Sequence, residues 1–219
     1  MKLHADLSQA ASVDSRSIDW IDSPASGVQR RMLDKDGGED NARASTIVRF
    51  QPGSSFPEHV HKGGEEFLVL DGVFSDETGD FPTGMYVRNP PGSRHSPATR
   101  LGCTIFVKLM QMSDDDKAFV RVDTHNAELW QDGLPGEKVL PLHQHAAEQV
   151  ELLHWQAGCK LESQIFPGGA EYLVLDGEFS DEQGSYGPGH WLRLPAGSRQ
   201  TIHSRDGARV YRKQGHLAS

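Results

Sequence analysis

The sequence predicts an all-β protein that contains two tandem copies of one fold. Short runs rich in Val, Ile, Phe and Tyr alternate with turns of Gly, Pro, Asp and Asn, and the turn signals recur about every ten residues. No long segment has the periodicity of an amphipathic helix. The later half of the chain also repeats the earlier half. This combination is typical of β-sandwiches and barrels.

One long internal repeat relates the two halves of the chain. A shift of 105 residues aligns residues 53–96 with residues 158–201 without a gap, and 20 of these 44 positions are identical. A looser match continues on both sides of this block. We therefore predict a first unit at residues 1–112 and a second unit at residues 113–219. The Asp-rich segment Met112–Leu134 is the predicted crossover between them.

The strand candidates of the first unit are apolar runs bounded by turn residues. In chain order they are Thr46–Phe50, Glu66–Leu70, Met85–Arg88 and Thr104–Met110. Residues 67–70 are apolar at every position, so we expect this strand to be covered on both faces. Asp71-Gly72 and its copy Asp176-Gly177 follow apolar strands directly, and such pairs supply a positive φ.

Composition and charge predict a protein that binds no nucleic acid and spans no membrane. The formal net charge is −9, whereas nucleic-acid binding needs a basic face. No stretch approaches the ~18 apolar residues of a membrane span, and the N-terminus lacks the apolar core of a secretory signal. Cys103 and Cys159 form no paired motif, so we expect buried thiols in a cytoplasmic protein, with a disulfide or a redox sensor as alternatives. Residues 114–116, all Asp, are expected in a solvated loop.

Four side chains of the first unit form a pattern that predicts a metal site. His59 and His61 are one residue apart, so on a strand they point to the same face. The pair Gly63-Gly64 permits a tight turn that returns Glu65 towards them. His95 arrives from a distant strand after a Pro-Gly loop. Three imidazoles and one carboxylate favour a borderline divalent metal. We predict one ion per chain, zinc first, with iron, manganese or nickel as alternatives.

The neighbouring carboxylates Glu65 and Glu66 cannot both face the same side of a strand. In the second copy Glu66 persists as Glu171, whereas Glu65 is replaced by Ala170. A residue that is kept where the other ligand-type residues are lost is better explained by a structural role. We therefore assign Glu65 to the metal and predict that Glu66 forms an ion pair with Arg88, repeated in the second copy.

The second unit keeps the frame of this pattern without its ligand-type side chains. The positions equivalent to the four predicted ligands hold Gln164, Phe166, Ala170 and Gln200. None of these is a good ligand for a borderline metal. We predict no metal in this unit and an ordinary packed core around Phe166 and Tyr172, with a small apolar ligand cavity as the alternative.

The spacing of these residues resembles the two motifs of the cupin superfamily. The first motif runs from Gly53 to Gly72 and contains HVH and Glu65; the second runs from Gly84 to His95. More narrowly, HVHKGGEEFLVLDGVFSDETG resembles the cupin domain of ChrR-type anti-sigma factors. The resemblance covers nearly all of the first unit and the frame of the second. It implies two tandem cupin barrels, which are jelly-rolls of the double-stranded β-helix type.

The resemblance implies a metal-bearing cupin in the response to reactive oxygen. In that family the contact with the sigma factor belongs to a separate N-terminal helical domain with a C-x-x-C pair, which this sequence lacks. The first hypothesis is therefore a ChrR-like metal-binding bicupin in transcriptional or oxidative-stress regulation, without the sigma-binding domain. The alternative is a metal-dependent dioxygenase or isomerase that acts on a small, diketone-like substrate. A structural or storage bicupin is the third hypothesis.

These hypotheses differ in the partners that they require. Regulation needs a sigma factor or another regulatory protein, and catalysis needs a small-molecule ligand. The doubly apolar strand of each unit also allows a homodimer, because one of its faces could be covered by a second chain.

Overall fold

The described part of the chain, residues 2–38 and 41–217, is almost entirely β-structure in this computed structural model. Within these residues the helical elements are 3-10 turns at Ser15–Ser17 and Ala127–Leu129. The prediction of an all-β fold is therefore confirmed. Across the same residues, none of the helices has the length and apolar character needed to cross a membrane.

The strands fall into two sets in chain order. The first set is β1 (Lys2–Leu3), β2 (Ala11–Asp14), β3 (Ile21–Asp22), β4 (Val28–Asp36), β5 (Arg43–Phe50), β6 (His59–Val60), β7 (Glu65–Asp76), β8 (Gly79–Pro82), β9 (Met85–Asn89), β10 (Arg94–His95), β11 (Cys103–Leu109) and β12 (Val120–Asp123). The second set is β13 (Gln131–Asp132), β14 (Glu137–His145), β15 (Glu148–Trp155), β16 (Cys159–Phe166), β17 (Ala170–Gly177), β18 (Phe179–Ser180), β19 (Ser185–Tyr186), β20 (His190–Leu194), β21 (Ser198–Ser204) and β22 (Ala208–Gln214).

Each of two compact units contains one large antiparallel sheet and a smaller one. Unit 1 comprises Met1–Ala5 and Ile18–His125, and unit 2 comprises Asp6–Ser17 and Asn126–Ser219. The large sheet of unit 1 has the order β1-β4-β5-β11-β7-β9-β12, and β6 pairs with β10 separately. The large sheet of unit 2 has the order β13-β14-β15-β22-β17-β20-β2, and its small sheet is β16-β21-β18-β19. The sequence repeat is therefore also a repeat of strand order.

An early strand of each sequence copy lies in the unit built mainly from the other copy. β2 pairs with β20 in unit 2, and β12 pairs with β9 in unit 1. Both strands occupy the same place at the edge of the large sheet. The predicted division at residue 112 follows the sequence repeat, whereas a protein cut there would lack one edge strand in each sheet.

Each unit has its own apolar core. In unit 1, Phe67 and Phe74 pack with their ring centroids 4.5 Å apart. In unit 2, Phe166 and Tyr172 lie in the buried core with ring centroids 6.2 Å apart. The predicted packing of these two side chains is confirmed.

The two cysteines are free, buried thiols, as predicted. Cys103 belongs to the core of unit 1 and Cys159 to the core of unit 2. Burial raises the pKa of Cys103 to about 11 and also raises the pKa of Cys159. Both thiols therefore stay protonated at neutral pH, which makes them poor nucleophiles.

The Asp-Gly pair after the apolar strand forms a bulge inside β7. Gly72 has a φ of +74°, as predicted, but the strand continues to Asp76. The register against β11 shifts between Thr104 and Ile105, which marks the bulge. A Cβ at Gly72 would lie 2.1 Å from the carbonyl oxygen of Gly102, so the position requires glycine.

A buried ion network lies beside β7. Glu66 Oε2 accepts a hydrogen bond from Arg88 Nη1 at 2.8 Å, and Arg88 Nη2 donates to Asp116 Oδ2 at 2.6 Å. The predicted Glu66–Arg88 pair is confirmed. The prediction that Asp116 lies in a solvated loop is wrong: the residue is 2% exposed, because it helps to neutralise the buried guanidinium. In unit 2, Glu171 lies opposite Arg193 in the strand register, and the second ion pair stays a prediction.

Replacing Arg88 with alanine is expected to destabilise the protein by about 3–5 kcal/mol, because two buried carboxylates would lose their cation. Arg205→Ala is the control, since Arg205 pairs with Asp206 on the surface and its removal should change little. Chemical denaturation of both variants measures the difference. Equal losses for the two variants would show that the buried network contributes no more than a surface pair.

Candidate metal centre

The predicted ligands come from separate pieces of the chain that meet in unit 1. β6 pairs with β10 so that His59 lies directly opposite His95. His61 follows β6, and its backbone N–H donates to the carbonyl of Ser93 at 2.9 Å, which extends this pairing. Glu65 is the first residue of β7. The strand pairings thus place all four side chains before any ion is considered.

The Gly63-Gly64 turn returns the chain so that Glu65 lies beside the histidines. Gly64 has a φ of +76°, and its N–H donates to the carbonyl of His61 at 3.3 Å. The N–H of Gly63 donates to Met110 Sδ at 3.0 Å, and a Cβ at Gly63 would lie only 2.9 Å from Met110 Cα. The predicted tight turn is present, and both its conformation and its packing require glycine.

The four predicted ligands His59, His61, Glu65 and His95 converge. One ligand atom from each lies within 4.8 Å of the others. Glu65 Oε2 is 3.5 Å from His61 Nε2 and 3.3 Å from His95 Nε2. His61, Glu65 and His95 are buried, whereas His59 is half-buried. The cluster is therefore shielded from bulk water, with its most exposed edge at His59.

The unpaired atoms of this cluster fit a divalent metal. The Nε2 atoms of His61 and His95 are buried and have no hydrogen-bond partner among residues 2–38 and 41–217. Leaving such an atom unsatisfied costs about 1–3 kcal/mol. The Nδ1–H of His59 donates to the carbonyl of Pro57 at 3.0 Å, which leaves Nε2 as its lone-pair donor. Three imidazole nitrogens and one carboxylate oxygen suit a borderline divalent ion.

Asp76, which the sequence pattern did not single out, orients His95. Oδ2 of Asp76 accepts a hydrogen bond from His95 Nδ1 at 3.2 Å, and the side chain is 1% exposed. Oδ1 of Asp76 accepts from the backbone N–H and the hydroxyl of Thr78. A histidine that donates its second N–H to a carboxylate is typical of metal sites. The available signal was the run FSDE at residues 74–77, which the second copy repeats unchanged.

Burial and charge act differently on the two buried histidines. Burial lowers the pKa of His61, because the charged imidazolium loses solvation. Burial also opposes the charged form of His95, but the hydrogen bond to Asp76 and the charge of Glu65 outweigh it and raise the pKa of His95. Burial disfavours the charge of Asp76, yet the hydrogen bonds from His95 and Thr78 prevail and lower its pKa to about 2. Asp76 therefore stays ionised and keeps the His95 ring in place.

A second chain of contacts supports Glu65. Asn89 Nδ2 lies 3.4 Å from Glu65 Oε2, and Asn89 Oδ1 accepts a hydrogen bond from Arg121 Nη2 at 2.8 Å. The guanidinium of Arg121 lies 5.2 Å from the ring centroid of Phe81. Because Arg121 lies on β12, the edge strand of the large sheet takes part in positioning the carboxylate.

The ligand cluster opens onto a cavity of 620 Å³ within unit 1. His59, His61 and Glu65 line this cavity. Most other lining side chains are apolar and lie on β4, β5 and β11; they include Val28, Val48, Phe50, Ile105, Val107 and Leu109. The size falls within the ~300–1,000 Å³ typical of small-molecule sites. The cluster and the cavity together can accommodate an ion and a ligand that contacts it.

Unit 2 preserves the supporting contacts of the site after losing the ligands. Gln200 takes the place of His95, and its Nε2 donates to Asp181 Oδ2 at 2.8 Å, as the histidine does to Asp76. Phe166, at the position of His61, lies in the packed core. The prediction that unit 2 binds no metal rests on these side chains and stays a prediction.

The relatives of this chain agree with the fold and with the motifs. The family described as the ChrR cupin-like domain matches residues 8–113 and, a second time, residues 117–218. The chain belongs to the ChrR cupin-like family. Each unit is therefore a cupin domain, and the resemblance drawn from the motifs is confirmed. No curated protein matches the chain.

Solved structures with low sequence identity share the fold of this cupin protein. A candidate dioxygenase from Nostoc punctiforme has a TM-score of 0.77 at 15% identity, over 97% of this chain and 85% of that one. The bacterial pirin YhhW of Escherichia coli, solved with nickel(II), has a TM-score of 0.69 at 12% identity, over 96% and 100%. Oxalate decarboxylase from Bacillus subtilis, studied for its manganese(II) centres, has a TM-score of 0.64 at 13% identity, over 95% and 78%. At these identities the similarity concerns the fold alone.

Asp76→Asn is expected to weaken divalent-metal binding by about 10–100-fold, because the amide no longer fixes the orientation and basicity of His95. Asp181→Asn is the matched control, since Asp181 holds a glutamine in unit 2. Competition with a chelator measures both affinities. An unchanged affinity in the Asp76 variant, or an equal loss in both variants, would contradict the orienting role.

Proposed function

We propose that unit 1 is a mononuclear metal centre, with one divalent ion per chain, at which a small molecule binds and reacts. One observation carries the proposal. Four ligand-type side chains converge within 4.8 Å of one another, and three of them line a largely apolar cavity. A purely structural ion would gain nothing from a cavity of this size beside it.

The residues of the chain would divide the work at this centre. His59, His61, Glu65 and His95 would hold the ion, and Asp76 would keep the proton on His95 Nδ1 so that Nε2 faces the site. The apolar walls would exclude water and strengthen electrostatic interactions inside the cavity. When bound, a divalent ion supplies Lewis-acid polarisation of a substrate oxygen, and a redox-active ion also supplies oxygen chemistry.

The proposed reaction class is that of a cupin-type dioxygenase or isomerase acting on a small oxygen-containing substrate, such as a diketone. Zinc is the first expectation for the ion, and iron, manganese or nickel would serve the same ligands. Support comes from structural neighbours that include a candidate dioxygenase, a nickel-bound pirin and a manganese oxalate decarboxylase. An oxidation would need iron, manganese or nickel, because zinc is not redox-active.

A second candidate function is regulation. The ChrR cupin-like description matches both halves of the chain, and this supports a role in transcriptional or oxidative-stress regulation. In that case a ligand or oxidant reaching the metal centre would change the binding of a sigma factor or another regulatory protein. A homodimer is compatible with either function.

Elemental analysis of the purified protein, with electron paramagnetic resonance for iron or manganese, tests the metal centre. We expect about one divalent ion per chain, since one cluster of this ligand chemistry lies within unit 1. A variant with His61→Ala and His95→Ala should lose most of the metal. The matched control, Gln164→Ala with Phe166→Ala in unit 2, should retain it. Two ions per chain, or an unchanged content in the histidine variant, would contradict the assignment.

Oxygen uptake by the metal-loaded protein, measured with a panel of diketones, separates the two functions. Turnover that disappears in the His61→Ala and His95→Ala variant supports the enzyme. Absence of turnover with every metal, combined with metal-dependent capture of a sigma factor, supports regulation instead.

A further inference from the structure

The charges around the cavity of unit 1 are unevenly distributed. Among the side chains that line it, Glu65 is the acidic one, whereas Arg30 and Lys62 are basic. Glu65 belongs to the metal-ligand cluster, so its charge would be offset by a divalent ion. With the ion bound, the cavity carries a net positive charge inside walls that are otherwise largely apolar.

Arg30 belongs to the inner wall of the cavity because of its place on β4. Val28 and Arg30 are two residues apart on this strand, so both side chains point to the same face. Arg30 lies opposite Val48 in the register of β5, and Val48 lies opposite Ile105 of β11. All of these side chains line the cavity.

The neighbouring arginine has a different environment. Arg31 points to the opposite face of β4, where its guanidinium lies 4.4 Å from the ring centroid of Trp20. Arg49, on β5, lies 4.2 Å from the same ring. The chain therefore provides two adjacent arginines on one strand, one at the cavity and one stacked on tryptophan.

We propose that the cavity binds a monocarboxylate with an apolar body, a proposal that rests on the metal centre described under the proposed function. The carboxylate would be held by the positive charge of Arg30 and of the metal centre, and the apolar body would lie against Val48, Ile105 and Val107. Desolvated charge pairs are stronger inside an apolar cavity than in water. A volume of 620 Å³ is much larger than a two-carbon dicarboxylate requires, and an apolar wall gives such a ligand little to bind.

Isothermal titration calorimetry with decanoate as the probe tests the proposal. We expect the metal-loaded protein to bind decanoate at least tenfold more tightly than decanol, which has the same apolar body without the charge. Arg30→Gln should weaken decanoate binding at least tenfold and leave decanol binding unchanged. Arg31→Gln, the matched control on the opposite face of β4, should bind decanoate like the unmodified protein.

A second variant tests the apolar part of the site without changing its charge. Val107→Phe would fill part of the cavity and is expected to weaken decanoate binding while the metal content, measured on the same sample, stays the same. Equal binding of decanoate and decanol, or equal effects of Arg30→Gln and Arg31→Gln, would overturn the proposal.

The metal measurement separates this proposal from the proposed function. If the protein takes up no divalent ion, the metal centre is wrong. Decanoate binding that still depends on Arg30 would in that case uphold the carboxylate site. If the protein binds one ion but does not bind decanoate, the carboxylate proposal is wrong and the metal centre stands.

Discussion

The alternation of side chains at the start of β7 is the constraint on which the rest of unit 1 depends. Glu65 and Glu66 are adjacent, so a strand must send them to opposite faces. Glu65 approaches His61 and His95, whereas Glu66 accepts a hydrogen bond from the buried Arg88. A slip of one residue in the register would place the wrong carboxylate on each face. The Gly63-Gly64 turn before the strand and the bulge at Gly72 within it keep this register in place.

The degenerate copy shows which contacts belong to the scaffold. Asp181 retains a hydrogen bond from the side chain that replaced the histidine, and Glu182 accepts a hydrogen bond from the N–H of Thr201, as Glu77 does from Ser96. These contacts join the loops of each unit whether or not a metal ligand is present. The metal chemistry is therefore an addition to a framework that folds without it.

The two units use the same interior space differently. Unit 2 places Trp155 and Phe166 in its core, where unit 1 has Phe50 and His61 beside a cavity. Larger apolar side chains fill space and gain packing, because protein interiors are close-packed. Unit 1 gives up part of this packing and in return has room for a ligand next to the histidines. One unit is suited to chemistry and the other to structural support.

The sequence alone determined the class of fold, the repeat and the four side chains of the candidate site, because strand periodicity and ligand spacing are local properties of the chain. The copy also decided between Glu65 and Glu66. The tertiary structure decided what depends on contacts between distant segments. It placed Asp76 on His95, buried Asp116 against Arg88 across 28 positions, and gave each large sheet an edge strand from the other sequence copy. The cavity and its Arg30 wall likewise arise only when β4, β5 and β11 lie side by side, since no pattern within one strand records the space between sheets.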